Sequence, residues 1–321
     1  MVTGERQASR LGTGATRALM LAIAVVDLVV AAMAWRALRT ERAAAYEKAG
    51  QSVSDLARVL GENLEGTITR IDLALLASAH VLEEPGAMSG AARWRTEVAI
   101  SRIAARLPII DAIRATDADG TLVLGKDLKR DERVSVVDRD YFLAAKADPN
   151  ARLSTSSPMI DRVSRRWSIA FARPYYRADG SFAGIVHAVV RTDTFTLTLG
   201  RVKAPYEGAV VLRGADNAAI ARYPDLAHGE SLIGQRKISP KLEEVVASRI
   251  AEATFPVQSP VEHQETLAAF RRIAGSPFYL LVTALSQSFL ASWRMEAERT
   301  AIAVAVFVLL TFLAARAGSG S

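Results

Sequence analysis

Two apolar runs bracket this chain. From Ala18 to Trp35 the sequence carries one charge, Asp27, and from Ala301 to Ala315 it carries none. A helix that crosses a bilayer needs about 20 mostly apolar residues. Residues 16–35 are therefore expected to span, and 287–317 to hold a second span whose flanking Arg299 and Arg316 snorkel to the interfaces. A signal peptide is the rival for the first run, because Arg6, Arg10 and Arg17 precede it and Ala32-Met33-Ala34 has the small-x-small form of a cleavage site. The helical pattern runs straight on from Trp35 to Tyr46, which favours an uncleaved anchor. Charges inside a membrane usually face protein, so Asp27 is expected at a helix contact or dimer face.

Between the runs the period changes several times. Val53, Leu56, Val59, Leu60, Leu64, Ile68, Ile71 and Leu75 recur at three and four, which predicts one long stalk helix over 36–82. A Pro/Gly loop follows at 83–90, and helical spacing returns from Ala91 to Leu107. Strands are predicted for Ile109–Ala115 and Thr121–Leu124, around a turn at Asp117-Ala118-Asp119-Gly120 that lacks the further ligands of a calcium loop. The stretch 136–195 reads as a short helix and then strands closed by an Asp179-Gly180 hairpin turn. After a helix at 193–201, a smaller unit begins. Its strands are expected at 209–213, 218–223, 251–257, 266–273 and 279–285, with a helix at 239–248 and a turn at Gly275–Pro277. The expected fold class is α+β.

Composition narrows the chemistry. There is no cysteine, so disulfides and thiol or Cys-metal sites are excluded. A net charge of +6 without a Lys/Arg tract interleaved with aromatics argues against a nucleic-acid partner. No GxSxG, HExxH, P-loop, GxGxxG or GGDEF-type motif occurs. The four histidines, His80, His187, His228 and His263, lie far apart without metal spacing, and His187 reads as a core or rim residue of its strand. An enzyme is therefore not expected, and neither is a cofactor or metal. Residues 1–15 are polar and expected to be a disordered cytoplasmic tail. The end, 318–321 (Gly-Ser-Gly-Ser), has linker composition and is expected to mark a truncated or engineered terminus.

The central stretch resembles the Cache domain, the PAS-like extracytoplasmic sensor of bacterial membrane receptors, in the version that precedes diguanylate cyclase and histidine kinase modules. The resemblance is carried by Asp138-Arg139-Asp140-Tyr141-Phe142, by Ser157-Pro158 followed by Trp167 and Ile169, and by the hairpin Asp179–Gly184. It implies a double-Cache arrangement, with a membrane-distal unit at 83–203 and a membrane-proximal unit at 204–286. It also implies a bacterial inner-membrane protein with a periplasmic sensor region, acting as a homodimer and followed by a cytoplasmic output domain.

In amino-acid-sensing members an Arg-x-Trp-aromatic helix holds the ligand carboxylate, and an Asp after the hairpin's second strand holds the ammonium. Arg139, Tyr141 and Phe142 match the first motif with Tyr in place of Trp, and Arg191 stands where that Asp is expected. A cation there disfavours an ammonium and suits a second carboxylate. The resemblance thus implies an anionic small molecule, such as an organic acid, held by Arg139 and Arg191. Arg165 or Arg173 would assist, and Ser157, Tyr141, Trp167 and Tyr175 complete the expected site. The competing expectation is a structural or dimerisation ectodomain that senses a periplasmic partner protein instead of a small ligand.

Overall fold

The structure is a computed structural model that describes residues 5–129, 133–148, 153–226, 230–259 and 264–318. It divides into two units. One comprises the two ends of the chain, up to Ala49 and from Ser286; the other runs from Gly50 to Leu285.

The terminal unit is helical. Helix α1 (Glu5–Glu83) starts well before the apolar run, so the expected disordered tail is helical from Glu5 onward. Helix α7 (Ala291–Gly318) contains the second run. Among the described residues, these two helices are long and apolar enough to cross a membrane, with mean hydropathy 2.0 and 1.9 over their most apolar stretches and no residue of those stretches buried. Asp27 sits at a helix contact, one of the two places expected for it: Thr311 Oγ1 donates to its carboxylate at 3.1 Å. Trp293 Nε1 donates to the Leu38 carbonyl at 2.9 Å, and Tyr46 meets Phe289 edge to face at 5.0 Å. The linker end lies outside the described residues beyond Gly318.

In the second unit α1 supplies a buried stripe, Val53, Leu56, Leu60, Leu64, Ile68, Ile71 and Leu75, at the spacing that keeps one face inward. The helix stops at Glu83, ahead of Pro85 and the left-handed Gly86. Helix α2 (Gly90–Ala105) then leads into the first sheet, built from β1 (Ala112–Thr116), β2 (Leu122–Gly125), β3 (Ser154–Thr155), β4 (Met159–Ile160), β5 (Trp167–Tyr176) and β6 (Phe182–Arg191). Its order is β2-β1-β6-β5-β3, with β4 also on β5, and every pairing is antiparallel. The central strands are buried on both faces. One face of β5 meets α1, where Arg173 pairs with Asp72. The other meets α3 (Asp140–Ala147), through Tyr141, Phe142 and Ala145 packed on Ala170, Ala172 and Ile185. The Asp179-Gly180 turn forms as expected: Asp179 accepts from the Ser181 amide and Gly180 takes φ 79°.

Helix α4 (Thr192–Leu199) leads to the second sheet: β7 (Val210–Arg213), β8 (Ala219–Tyr223), β9 (Glu252–Gln258), β10 (Glu265–Arg272) and β11 (Tyr279–Leu285), in the order β8-β7-β11-β10-β9. Helix α5 (Pro240–Ala247) begins on a Ser239 cap whose Oγ accepts from the Leu242 amide, with Pro240 in the first turn. It covers one face of this sheet through Leu242 and Val245. The short α6 (Ser286–Phe289) follows β11. The two sheets repeat one plan, with the first strand between the second and the last, and a short helix over one face. They meet through Phe171 and Phe278, whose rings lie edge to face at 5.9 Å, and through Ser157 Oγ, which donates to Asp216 at 3.0 Å.

Candidate ligand-binding site

Under α3, the first sheet carries a row of four residues in register. Gly125 on β2 stands opposite Arg114 on β1, Arg114 opposite His187 on β6, and His187 opposite Ala172 on β5. Strand pleating puts all four side-chain positions on one face. The small flanking residues make room for the long ones: a Cβ on Gly125 would lie 2.6 Å from Arg114 Cγ, and Gly125 holds φ 139°.

Asp161, from the loop between β4 and β5, closes over this row. Its Oδ1 accepts from Arg114 Nη1 at 3.0 Å and its Oδ2 from the Ser164 amide at 2.6 Å. The two side chains of the pair are 1% and 7% exposed. The Tyr141 ring, in the first turn of α3, lies 5.4 Å from the His187 imidazole.

Burial sets the electrostatics. Desolvation raises the Asp161 pKa, but Arg114 and the Ser164 hydrogen bonds outweigh it and leave the carboxyl below its ordinary range. Burial pushes the Tyr141 hydroxyl well above its usual value. His187 is pushed down to about 3, first by burial and then by the Arg114 charge, so its ring is neutral at ordinary pH. Two nitrogens of the cluster, Arg114 Nη2 and His187 Nδ1, are buried without a hydrogen-bond partner. A buried polar atom left in that state costs about 1–3 kcal/mol. A ligand carboxylate would satisfy the guanidinium nitrogen and remove that cost.

The structure distributes the sequence-predicted residues over several surroundings. Tyr141 and Phe142 lie on the sheet-facing side of α3, Tyr141 beside His187 and Phe142 edge to face with Phe182. Arg139 caps α3 and donates to the Ile160 carbonyl at 3.1 Å, which places it at the rim of the same face. Arg191 shares that face further along β6, where it forms a two-point pair with Asp193 at 3.0 and 2.7 Å. Ser157 donates its amide N–H to the Asp140 carboxylate at 2.9 Å and its hydroxyl to Asp216 at 3.0 Å. Trp167 is 40% exposed at the start of β5, beside Gly234 in the segment between β8 and α5. Arg165 is exposed and takes φ 58°. Arg173 points to the α1 side of the sheet. Tyr175 donates to the Thr116 carbonyl at 2.7 Å and lines a cavity of about 480 Å³ beside the α1–α2 loop. His228 and His263 lie outside the described residues.

Sequence reasoning missed Arg114 and Asp161. The available signal was Arg114 itself, a cation in the middle of the apolar strand Ala112–Thr116.

The sequence matches no protein-family model and no curated protein. Solved structures do match. The extracellular domain of a protein assigned as histidine kinase rpHK1S-Z16 superposes with TM-score 0.63 at 21% identity, over 73% of this chain and 93% of that one. The ligand-binding domain of the Pseudomonas fluorescens chemoreceptor CtaA, in complex with L-isoleucine, gives 0.58 at 18% identity over 77% and 97%. That of the Campylobacter jejuni chemoreceptor Tlp3, in complex with L-valine, gives 0.55 at 12% identity over 77% and 96%. The chain therefore has the fold of these extracellular sensory domains, the double-Cache fold, with two antiparallel sheet units along a long N-terminal helix.

Proposed function

We propose that this chain is the ligand-sensing input of a bacterial transmembrane receptor, and that its first sheet unit binds a small molecule through a carboxylate. The observation that carries the proposal is the Arg114–His187 row under α3, where two buried nitrogens await a partner in an otherwise well-packed face. Arg114 Nη2 receives the carboxylate, while Asp161 holds the guanidinium in place through Nη1. Tyr141 forms the wall on the helix side. Arg139 and Arg191 are rim cations that reach the ligand by exchanging their bonds to Ile160 and Asp193. A dicarboxylate would engage both Arg114 and one of them.

In this account α1 and α7 cross the bacterial inner membrane, the two sheet units lie in the periplasm, and a cytoplasmic output domain receives the signal. Ligand binding under α3 draws the helix and the Asp161 loop together, and the second span carries the change inward. Such transmission requires that the ligand bind one of two states more tightly. Thermal unfolding of the chain in detergent against organic acids and amino acids tests the proposal. A raised midpoint with carboxylates that is absent with matched amines supports it, and no shift with any carboxylate removes it.

A further inference from the structure

The second sheet unit holds its own small cavity, between α5 and the sheet. Its volume is about 50 Å³, room for about three to five heavy atoms. The wall combines apolar groups such as Leu232, Leu242 and Phe255 with Arg213 and the hydroxyl residue Thr283. Arg213 lies at the end of β7, opposite Tyr279 on the last strand of its sheet, just as Arg114 lies on the first strand of the other sheet opposite His187.

Arg213 is 4% exposed. Its Nη1 donates to the carbonyls of Asn217 and Gln235, while its Nε–H is buried with no partner. Carbonyls hold the guanidinium but leave its charge unbalanced. Among the described residues, no acidic group pairs with Arg213 and none lines the cavity, which a second arginine, Arg222, also borders. A buried cation without a counter-ion is a costly arrangement. A small anion in the cavity supplies both the missing charge and the acceptor for Nε.

We infer that the cavity beside Arg213 is a second ligand site, which takes a small monocarboxylate of about acetate's size. Apolar walls around Leu232 and Phe255 accommodate its methyl end, and Arg213 its carboxylate. The small volume favours an acid of this size over bulkier ones.

The test is a ligand-observed NMR titration of the full chain in detergent with sodium acetate, at constant ionic strength set with a bulky sulfonate salt. Wild type is expected to bind saturably, with affinity reduced at least about tenfold in Arg213→Gln, the loss of one charge-assisted hydrogen bond. Val257→Phe, which fills the cavity from a half-buried position and leaves Arg213 in place, is expected to weaken binding equally. Arg114→Lys is expected to retain it. Absence of saturable binding to the folded chain overturns the inference, as does binding unaffected by Val257→Phe. Loss in Arg114→Lys alone assigns acetate to the first unit and likewise overturns it. If Arg213→Gln does not fold, Val257→Phe and Arg114→Lys decide between these outcomes.

Discussion

Arg114 and His187 stand directly opposite each other in the β1–β6 ladder, each with one buried nitrogen that has no partner. A cation beside a histidine held neutral is a pairing that a purely structural core would replace with apolar residues at little cost. The pair lies under α3, with Asp161 fixed on Arg114 and the Tyr141 ring beside His187, which is why the proposed site is centred on it.

The pH dependence of stability reports on His187. Its folded pKa of about 3 lies below the ordinary value of about 6.5. Between those values the unfolded chain binds one more proton than the folded one, so stability falls as pH is lowered through this window, by up to about 1.4 kcal/mol per pH unit. About 2 kcal/mol is lost by pH 5 from this residue alone. Asp161, whose folded pKa is lowered, adds a loss in the same direction only below about pH 4. Urea midpoints measured from pH 7.5 to 5 are expected to drop in wild type and to flatten in His187→Gln; parallel profiles would contradict a neutral buried imidazole.

Gly184 tests the hairpin geometry. It holds φ 152°, and a Cβ there would lie 2.1 Å from the Thr116 carbonyl oxygen across the β1–β6 pairing. Backbone meets backbone, so neither side yields. Gly184→Ala is expected to cost more than about 3 kcal/mol, measurable as a lowered thermal midpoint, whereas Gly180→Ala, with nothing near its Cβ but φ 79°, is expected to cost about 1 kcal/mol.

Asp72 on α1 and Arg173 on β5 form a two-point pair, with the Nη2 to Oδ2 bond at 2.9 Å and both side chains mostly buried. It ties the long helix to the strand that also carries Ala170 and Ala172 of the site face. Asp72→Asn is expected to destabilise by about 1–3 kcal/mol, between the exposed and fully buried limits for ion pairs. A double-mutant cycle with Arg173→Met should show coupling above about 1 kcal/mol; additive effects would mean the pair contributes nothing specific.

Most of the fold was legible because its elements obey local rules. The α1 stripe from Val53 to Leu75 repeats at three and four, the Asp-Gly turn sits between alternating strands, and Ser239-Pro240 is a helix start in itself. The tail differed because polar residues 5–15 continue an existing helix and need no new nucleus, a cooperative effect that composition does not display. The site was less legible. Its motif singled out Tyr141, but Arg114 and Asp161 are 47 residues apart and meet only through sheet topology. His187 looked like an ordinary strand histidine, since its missing partner is a property of what packs around it.

Thermal unfolding of the wild-type chain and of Arg114→Lys, each with and without saturating ligand, shows whether Arg114 binds the proposed ligand carboxylate. Lysine keeps a charge beside Asp161 and removes the second guanidinium nitrogen. A carboxylate at 100 times its dissociation constant adds about 2.7 kcal/mol, which moves the midpoint by roughly 5–10 °C. That shift is expected in wild type, with little or none in Arg114→Lys; an equal shift in both proteins would place the ligand away from Arg114.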